Sequence, residues 1–490
     1  MSGPSSLQAL RERYGERYRW LVLLAVMVGT IASIMSSTIV NVAIPDMSHH
    51  FSLGQERAQW VSSGFMVAMT ASMLTTPWLL SRYGYRSTYV ATMLLLLFGG
   101  VAGGFSSHFG LVLVARVAEG LAAGIVQPIP AIIILHAFQP HEQGRASGFF
   151  GMGVVLAPAL GPSIGGVLVD WFGWRSIFFM VVPFCLVSLW LAFKFVPVTA
   201  PGGQPTQRGG AWIDWRGLLL GTAGTLCLLN GLVLLRSGTP TEAALLLLVA
   251  VACTVLFIWW QGRLARAGQP PLMDLRLFRY RQFAMGSVVA FIYGTALFGS
   301  TYLLPVFMQL GLQMSPSHVG TILLPAGIVL AVTIPLVGRM ADHRPTYLLV
   351  STGLFLLALS FGLMVLIGQQ SPLWLLVAFA ILGRIGLGFI LPSLNLGAMR
   401  PLDKPLIPQG SSTISFLRML GGAAGVSLCG IVLEWRLAAH GASLAPGTAA
   451  DMARLSAFGE VFLMLGGLCV LALVAAWKLR DPPPSASLSL

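Results

Sequence analysis

The stretch ARVAEGLAAGIVQP, residues 115–128, sets Arg116 and Glu119 inside an apolar run, with LVLV before it and IPAIIIL after it. In hydrocarbon an ionised side chain costs roughly 3 kcal/mol or more unless it is paired or reached by water. The medium around this run therefore decides the fold, and composition identifies the medium. Of 490 residues, 56% are hydrophobic and only 9% charged. A soluble domain carries about 25% charged residues. The 56 glycines and 29 prolines also suit membrane helices, which tolerate both. The net charge of +13 does not point to nucleic acid, because the basic residues sit in short gaps between apolar runs rather than on one polar face. The partner implied by composition is the lipid bilayer, and the fold class is an all-α polytopic membrane protein.

A spanning helix needs about 20 apolar residues. That length marks fourteen spans, near 20–44, 59–80, 88–106, 109–137, 147–169, 176–196, 217–235, 243–261, 284–309, 320–338, 345–368, 372–399, 409–434 and 457–478. The segments 1–19 and 480–490 are polar ends. The first six spans form an N-terminal half, 20–196, followed by a Pro/Gly-rich polar linker, 197–216. Two inserted helices fill 217–261. A basic, partly amphipathic segment, 262–283, is expected on the membrane surface. The last six spans form a C-terminal half, 284–479. With the N-terminus inside, only Arg57, Arg175, Arg236, Arg436 and Arg454 fall outside, and Arg116, Arg384 and Arg418 fall within spans. The remaining Lys and Arg residues lie on the cytoplasmic side, so both termini are expected there. PWLLSRYGYR after the second span and GRMADHRP after the tenth make a weak internal repeat. Repeated halves around a midplane site are the architecture of secondary transporters.

Three segments carry a family likeness: the loop after the second span, ARVAEGLAAG, and GFFGMGVVLAPALGPSIGG. They resemble signatures of the major facilitator superfamily. STIVNVAIPDM, GWRSIFF and PLMDLRLFRYRQF narrow the resemblance to its fourteen-helix drug:proton antiporter family, a group of multidrug exporters. The resemblance covers essentially the whole chain. It implies two six-helix halves plus two inserted helices, and export of lipophilic or cationic compounds driven by proton entry.

Residues 116, 119, 123 and 127 fall within about 80° on a helical wheel, so Arg116, Glu119 and Gln127 share a face. Arg and Glu three apart can pair, which lowers the cost of holding either in the membrane. One reading is a titrating pair facing a wet cavity, with Glu119 as proton carrier and Arg116 tuning it. The other is a permanent structural ion pair. The family more often has glutamine at the position of Glu119, and it usually has an Asp where Ser36 stands here, so Glu119 is expected to have taken over coupling. Met35, Ser36, Asn41, Gln127, Arg384 and Asn395 are the candidates for lining the substrate cavity. Arg418 shares a helix side with Ser411 and Ser415.

The resemblance assigns conformational roles as well. Gly161, Pro162, Gly165 and Gly166 match the antiporter motif, where small residues let helices approach and prolines bend them. Arg82, Gly84 and Arg86 in the first loop, and Gly338, Asp342 and Arg344 in the second, match the motif whose charged contacts latch the two halves. Pro77 and Ser81 replace the usual Gly and Asp there. Glu434 and Glu460 read as interfacial carboxylates, with a proton role for Glu460 as the alternative. His49 and His50 read as solvated loop residues.

The five cysteines all lie in apolar runs, so neither a disulfide framework nor a metal site is expected. No cofactor is expected. No phosphate-binding loop and no soluble region of catalytic size are present, so no enzyme is expected. The expected activity is proton-coupled export of drugs and toxic compounds from the inner membrane of a bacterium. Small-molecule substrates and protons are the expected partners, with a periplasmic adaptor and outer-membrane channel as further candidates. A dedicated exporter of one endogenous metabolite, such as a siderophore or lipid, is the alternative. A non-transporting membrane sensor is the third reading.

Overall fold

The computed structural model describes residues 7–53, 55–58, 60–206, 212–237, 240–442 and 452–480. The described residues contain helices and no strand. The first half runs through α1 (Tyr18–His50), α2 (Trp60–Met73), α3 (Thr76–Gly104), α4 (Phe109–Val126), α5 (Ile129–Ala137), α6 (Gln143–Phe172) and α7 (Val181–Phe195). The two inserted helices are α8 (Trp215–Ser237) and α9 (Pro240–Arg266). Then follow α10 (Arg281–Val306), α11 (Pro316–Ala341), α12 (Thr346–Met364), α13 (Leu373–Met399), α14 (Ile407–Ala439) and α15 (Met452–Trp477). Each of the fourteen expected spans carries helix. Twelve helices among the described residues are long and apolar enough to cross a membrane.

Local chemistry moves some boundaries. The second span breaks after Met73 and resumes at Thr76, with Pro77 in the first turn, where a missing N–H leaves no bond unmade. Gly84 has φ 77° and ψ 174°, so α3 is two helices across a kink. Its part up to Tyr83 completes the second span, and its part from Tyr85 is the third. The fourth span divides at Gln127–Pro128, where proline supplies no N–H to the helical ladder. The Pro128 carbonyl accepts from the Ile132 amide at 3.3 Å and from the Ser411 hydroxyl at 2.9 Å.

The chain forms two compact units. One reaches to Leu275 and adds Asp403–Phe416; the other comprises Arg276–Leu402 and the chain from Leu417. Inside the first, Val22, Val26, Tyr89, Met93, Ala122 and Val126 share one core. Glycines set its closest approaches. A methyl on Gly120 would meet the Phe65 carbonyl, and one on Gly124 the Met69 carbonyl, so α2 and α4 touch backbone to backbone. The second unit uses the same device. A Cβ on Gly353 would lie 2.7 Å from the Gly386 carbonyl, and the reverse holds, which joins α12 to α13. Gly294 of α10 meets the Arg418 carbonyl of α14, and the Thr295 hydroxyl donates to Gly421 at 2.9 Å.

Two connections pack against the helices they join. The linker 197–216 is docked where it is described. Pro197 and Thr199 carbonyls accept from the Arg86 and Tyr85 amides at 3.0 Å each. Asp214 accepts from the Gly217 amide, the Trp260 indole and the Gln261 amide at 2.8–2.9 Å. Residues 207–211 lie outside the described part. In 262–283, Leu272, Met273 and Leu277 are buried, with Met273 packed on Leu74 and Phe257. Part of its apolar side therefore rests on protein, while Phe278 is exposed.

Candidate functional site

The charged pair forms, and it is sealed. Arg116 Nη1 lies 2.5 Å from Glu119 Oε2, with residue exposures of 1% and 0%. The Ser36 hydroxyl of α1 accepts from Arg116 Nη1 at 2.9 Å and donates to Glu119 Oε2 at 3.2 Å. Arg116 Nε donates to the Val61 carbonyl at 3.3 Å, and the guanidinium lies over the Phe65 ring at 4.3 Å. One atom of each partner, Arg116 Nη2 and Glu119 Oε1, is buried without a hydrogen bond. The carboxylate is seated on the glycines of LFGGVAGG in α3. A Cβ on Gly99 would stand 2.8 Å from Glu119 Cγ, and one on Gly100 would stand 3.5 Å from Oε1. The expectation of a wet cavity is corrected here: the pair is closed in by Ser36, Val61 and Phe65, which satisfy it only in part.

The other expected lining residues do not gather around the pair. Met35 is buried with Ile34 and Ala157. Asn41 is exposed and accepts from the Ser62 hydroxyl at 3.1 Å. Gln127 is half-buried at the end of α4, where the helix breaks. Only Ser36 of that set touches the pair.

In the second unit, Arg384, Asn395 and Arg418 are half-buried, and none has a hydrogen bond or ion pair to a described residue. Arg384 borders a narrow void of about 10 Å³ with Ser300, Leu304, Ser360, Phe361 and Met364, room for about one water. Tyr293 is buried in α10, and Gly294 beside it lies against the Arg418 carbonyl. It is a residue that sequence reasoning passed over, since a tyrosine in an apolar run reads as core.

The loop motifs have contacts close to their own helices. Gly84 needs its left-handed backbone, and a Cβ there would collide with the Val198 carbonyl. Arg86 Nε donates to the Val196 carbonyl at 2.8 Å, so this arginine ties the kink to the end of α7. Arg82 stacks near Trp78 and Trp212, and lines a 330 Å³ cavity with His136, Asp214 and Lys404. Gly338 is buried in α11, Asp342 caps that helix 4.0 Å from Arg400, and Arg344 is exposed. In α6, a Cβ on Gly161 would lie 2.6 Å from the Thr38 hydroxyl, and one on Gly165 would lie 2.5 Å from Ile39. Gly166 has open space and is not part of that contact. The Pro162 side chain lies outside the described residues. Glu460 pairs with Arg436 and with His440. His49 and His50 are exposed, as expected, and His50 also contacts Arg175 at 3.2 Å and packs on Trp174.

The Major Facilitator Superfamily family model matches residues 26–426. The chain is 28% identical to the Multidrug resistance protein B homolog of Mycobacterium tuberculosis (strain ATCC 25618 / H37Rv), over 83% of this chain and 75% of that one. It is 24% identical to the Riboflavin transporter RibZ of Clostridioides difficile (strain 630), over 84% and 87%. Its fold is similar to that of the proton:xylose symporter XylE, with a TM-score of 0.66, 13% identity, and coverage of 95% and 96%. With the helical order, the docked loop motif and the family match in agreement, the chain belongs to the Major Facilitator Superfamily and is a membrane transporter.

Proposed function

We propose that the chain is a proton-coupled antiporter that exports lipophilic small molecules, drugs and toxic compounds among them, by alternating access. The observation that carries this reading is the Glu119 carboxylate sealed at mid-helix against Arg116 and Ser36. The resemblance expects a carboxylate on the first helix where Ser36 stands. Here the Ser36 hydroxyl lies 3.2 Å from the Glu119 carboxylate, so the acid comes from α4 yet reaches the same spot.

The proton adds to Oε1, the oxygen that has no partner. A protonated Glu119 no longer neutralises Arg116, whose remaining partners are Ser36, Val61 and the Phe65 ring. The pair then costs more where it is, and a rearrangement that admits water to Arg116 relieves that cost. Return of the ion pair expels the proton on the other side. Glu119 is matched by Arg116 and leaves no free carboxylate for a cation, so lipophilicity is the substrate property assigned, rather than positive charge. The arginine and lysine distribution and the bacterial relatives support a cytoplasmic membrane with both termini inside.

In proteoliposomes with an internal pH dye, substrate-driven proton movement should fall about tenfold or more in Glu119→Gln, while exchange of substrate for substrate persists. Full coupling in that variant would end the assignment. The relative named as a riboflavin transporter favours a second reading, export of a single metabolite. A competition panel separates the two, since a multidrug exporter accepts chemically unrelated ligands.

A further inference from the structure

A cavity of ligand size lies apart from the Arg116–Glu119 site. Its volume is 330 Å³, within the range of about 300–1,000 Å³ that small-molecule sites occupy. Residues from 77–82, 200–205, 270–272 and 404–409 line it, together with His136 and Asp214. All of them belong to the first compact unit. They stand at helix ends, beside the Gly84 kink or in connections, not in the apolar middle of a span.

The walls are held in place. Gln409 Nε2 donates to the Pro271 carbonyl at 3.1 Å, and the Ala200 amide donates to the Gln204 carbonyl at 2.9 Å. His136 Nδ1 lies 2.9 Å from the Ile132 carbonyl, and a Cβ on Gly202 would stand 3.7 Å from the same ring. Seven of the lining residues are prolines, so much of the surface is apolar and has little freedom to lose when a ligand arrives.

Two cations reach this cavity, Arg82 and Lys404. The Arg82 guanidinium lies over the Trp78 ring at 5.3 Å and the Trp212 ring at 5.8 Å, which fixes where its donors stand. Lys404 is exposed in the short turn ahead of α14. Asp214 is the acid among the described lining residues, and its oxygens already accept from Gly217, Trp260 and Gln261 of α8 and α9. Arginine and lysine both suit a phosphate or carboxylate, and a bare phosphate would leave most of this volume empty.

We propose that this cavity binds a small water-soluble organic anion, its phosphate or carboxylate held by Arg82 and Lys404 and its ring or short apolar body set against Trp78 and the prolines. This ligand is additional to the exported compound, and the site shares no residue with the Arg116–Glu119 pair.

The test is binding to the full chain in nanodiscs of zwitterionic lipid, with phenyl phosphate, benzoate, benzylammonium and benzyl alcohol as probes. The two anions should bind at least about tenfold more tightly than the ammonium or the alcohol. Arg82→Gln and Lys404→Gln should each weaken both anions about tenfold, roughly one charge-assisted hydrogen bond, whereas Arg82→Lys and Lys404→Arg keep most of the affinity. Because Arg82 also packs on two rings, Lys404→Gln is the decisive variant. Lys404 is exposed, so its loss should leave the melting temperature unchanged. Equal or tighter binding of the ammonium, or unchanged anion affinity in Lys404→Gln, overturns the proposal. Inorganic phosphate binding as tightly as phenyl phosphate overturns it as well, since the apolar walls would then contribute nothing. Adding phosphatidylglycerol to the nanodiscs should leave phenyl phosphate binding unchanged. A loss would mean that a lipid head fills the cavity, and the soluble ligand would be wrong. Glu119→Gln should bind phenyl phosphate as wild type does, and a loss there would overturn the separateness of this site.

Discussion

Breaking the Arg116–Glu119 pair from one side should be worse than removing it from both. Arg116→Ala or Glu119→Ala leaves an unmatched charge in a dry site, a loss of about 3–5 kcal/mol, while Arg116→Met with Glu119→Leu leaves none and costs less. Melting of the purified variants in detergent measures this, and a double variant no more stable than either single would mean that the pair is not one unit. Ser36 offers a sharper test. Its hydroxyl is 2.9 Å from Arg116 Nη1, so Ser36→Asp places an acid beside the same arginine. In a Glu119→Gln background that change should restore proton movement, and a variant that folds and transports uncoupled would refute the shared position. At this scale the sequence was half legible. The spacing of three in RVAE gave the pair, because both residues lie on one helix. Ser36, Phe65 and the Gly99–Gly100 seat were not legible as its shell, because they come from three other helices and no local pattern joins them.

Among the elements, the glycines divide by what stands in front of them. Gly161 faces the Thr38 hydroxyl at 2.6 Å from an added Cβ, whereas Gly166 faces open space. Gly161→Ala should push α6 off α1 and reduce transport severalfold, at a cost of about 1–3 kcal/mol for overpacking, while Gly166→Ala should be silent. Equal effects on flux would show that the motif acts through glycine flexibility and not through this contact. Sequence pattern located the helices well, since hydropathy runs are long and continuous. It placed the breaks poorly. Pro128 ends α4 by lacking an N–H, a local signal that the apolar run on either side conceals. The docking of 197–206 depends on the Tyr85 and Arg86 amides, freed by the Gly84 kink more than a hundred residues earlier, and composition reads such a segment only as a linker.

For the molecule as a whole, the proton assignment makes an electrical prediction. If one proton enters for each neutral molecule that leaves, one positive charge moves inward per cycle. A monovalent cation exchanged for one proton would move none. An inside-negative potential should therefore drive export of a neutral lipophilic substrate even when both sides have the same pH. At 100 mV one charge corresponds to about 2.3 kcal/mol, enough to shift the gradient at equilibrium by about fiftyfold. Proteoliposomes oriented with the cytoplasmic side inside, loaded with a labelled neutral substrate and clamped by potassium and valinomycin, read this directly. Export that steepens with the potential in wild type, and that loses this dependence in Glu119→Gln as the proton's share disappears, is the expected result. Export indifferent to potential would mean that no net charge moves with the exchange, and the placing of a transported proton on Glu119 would be wrong.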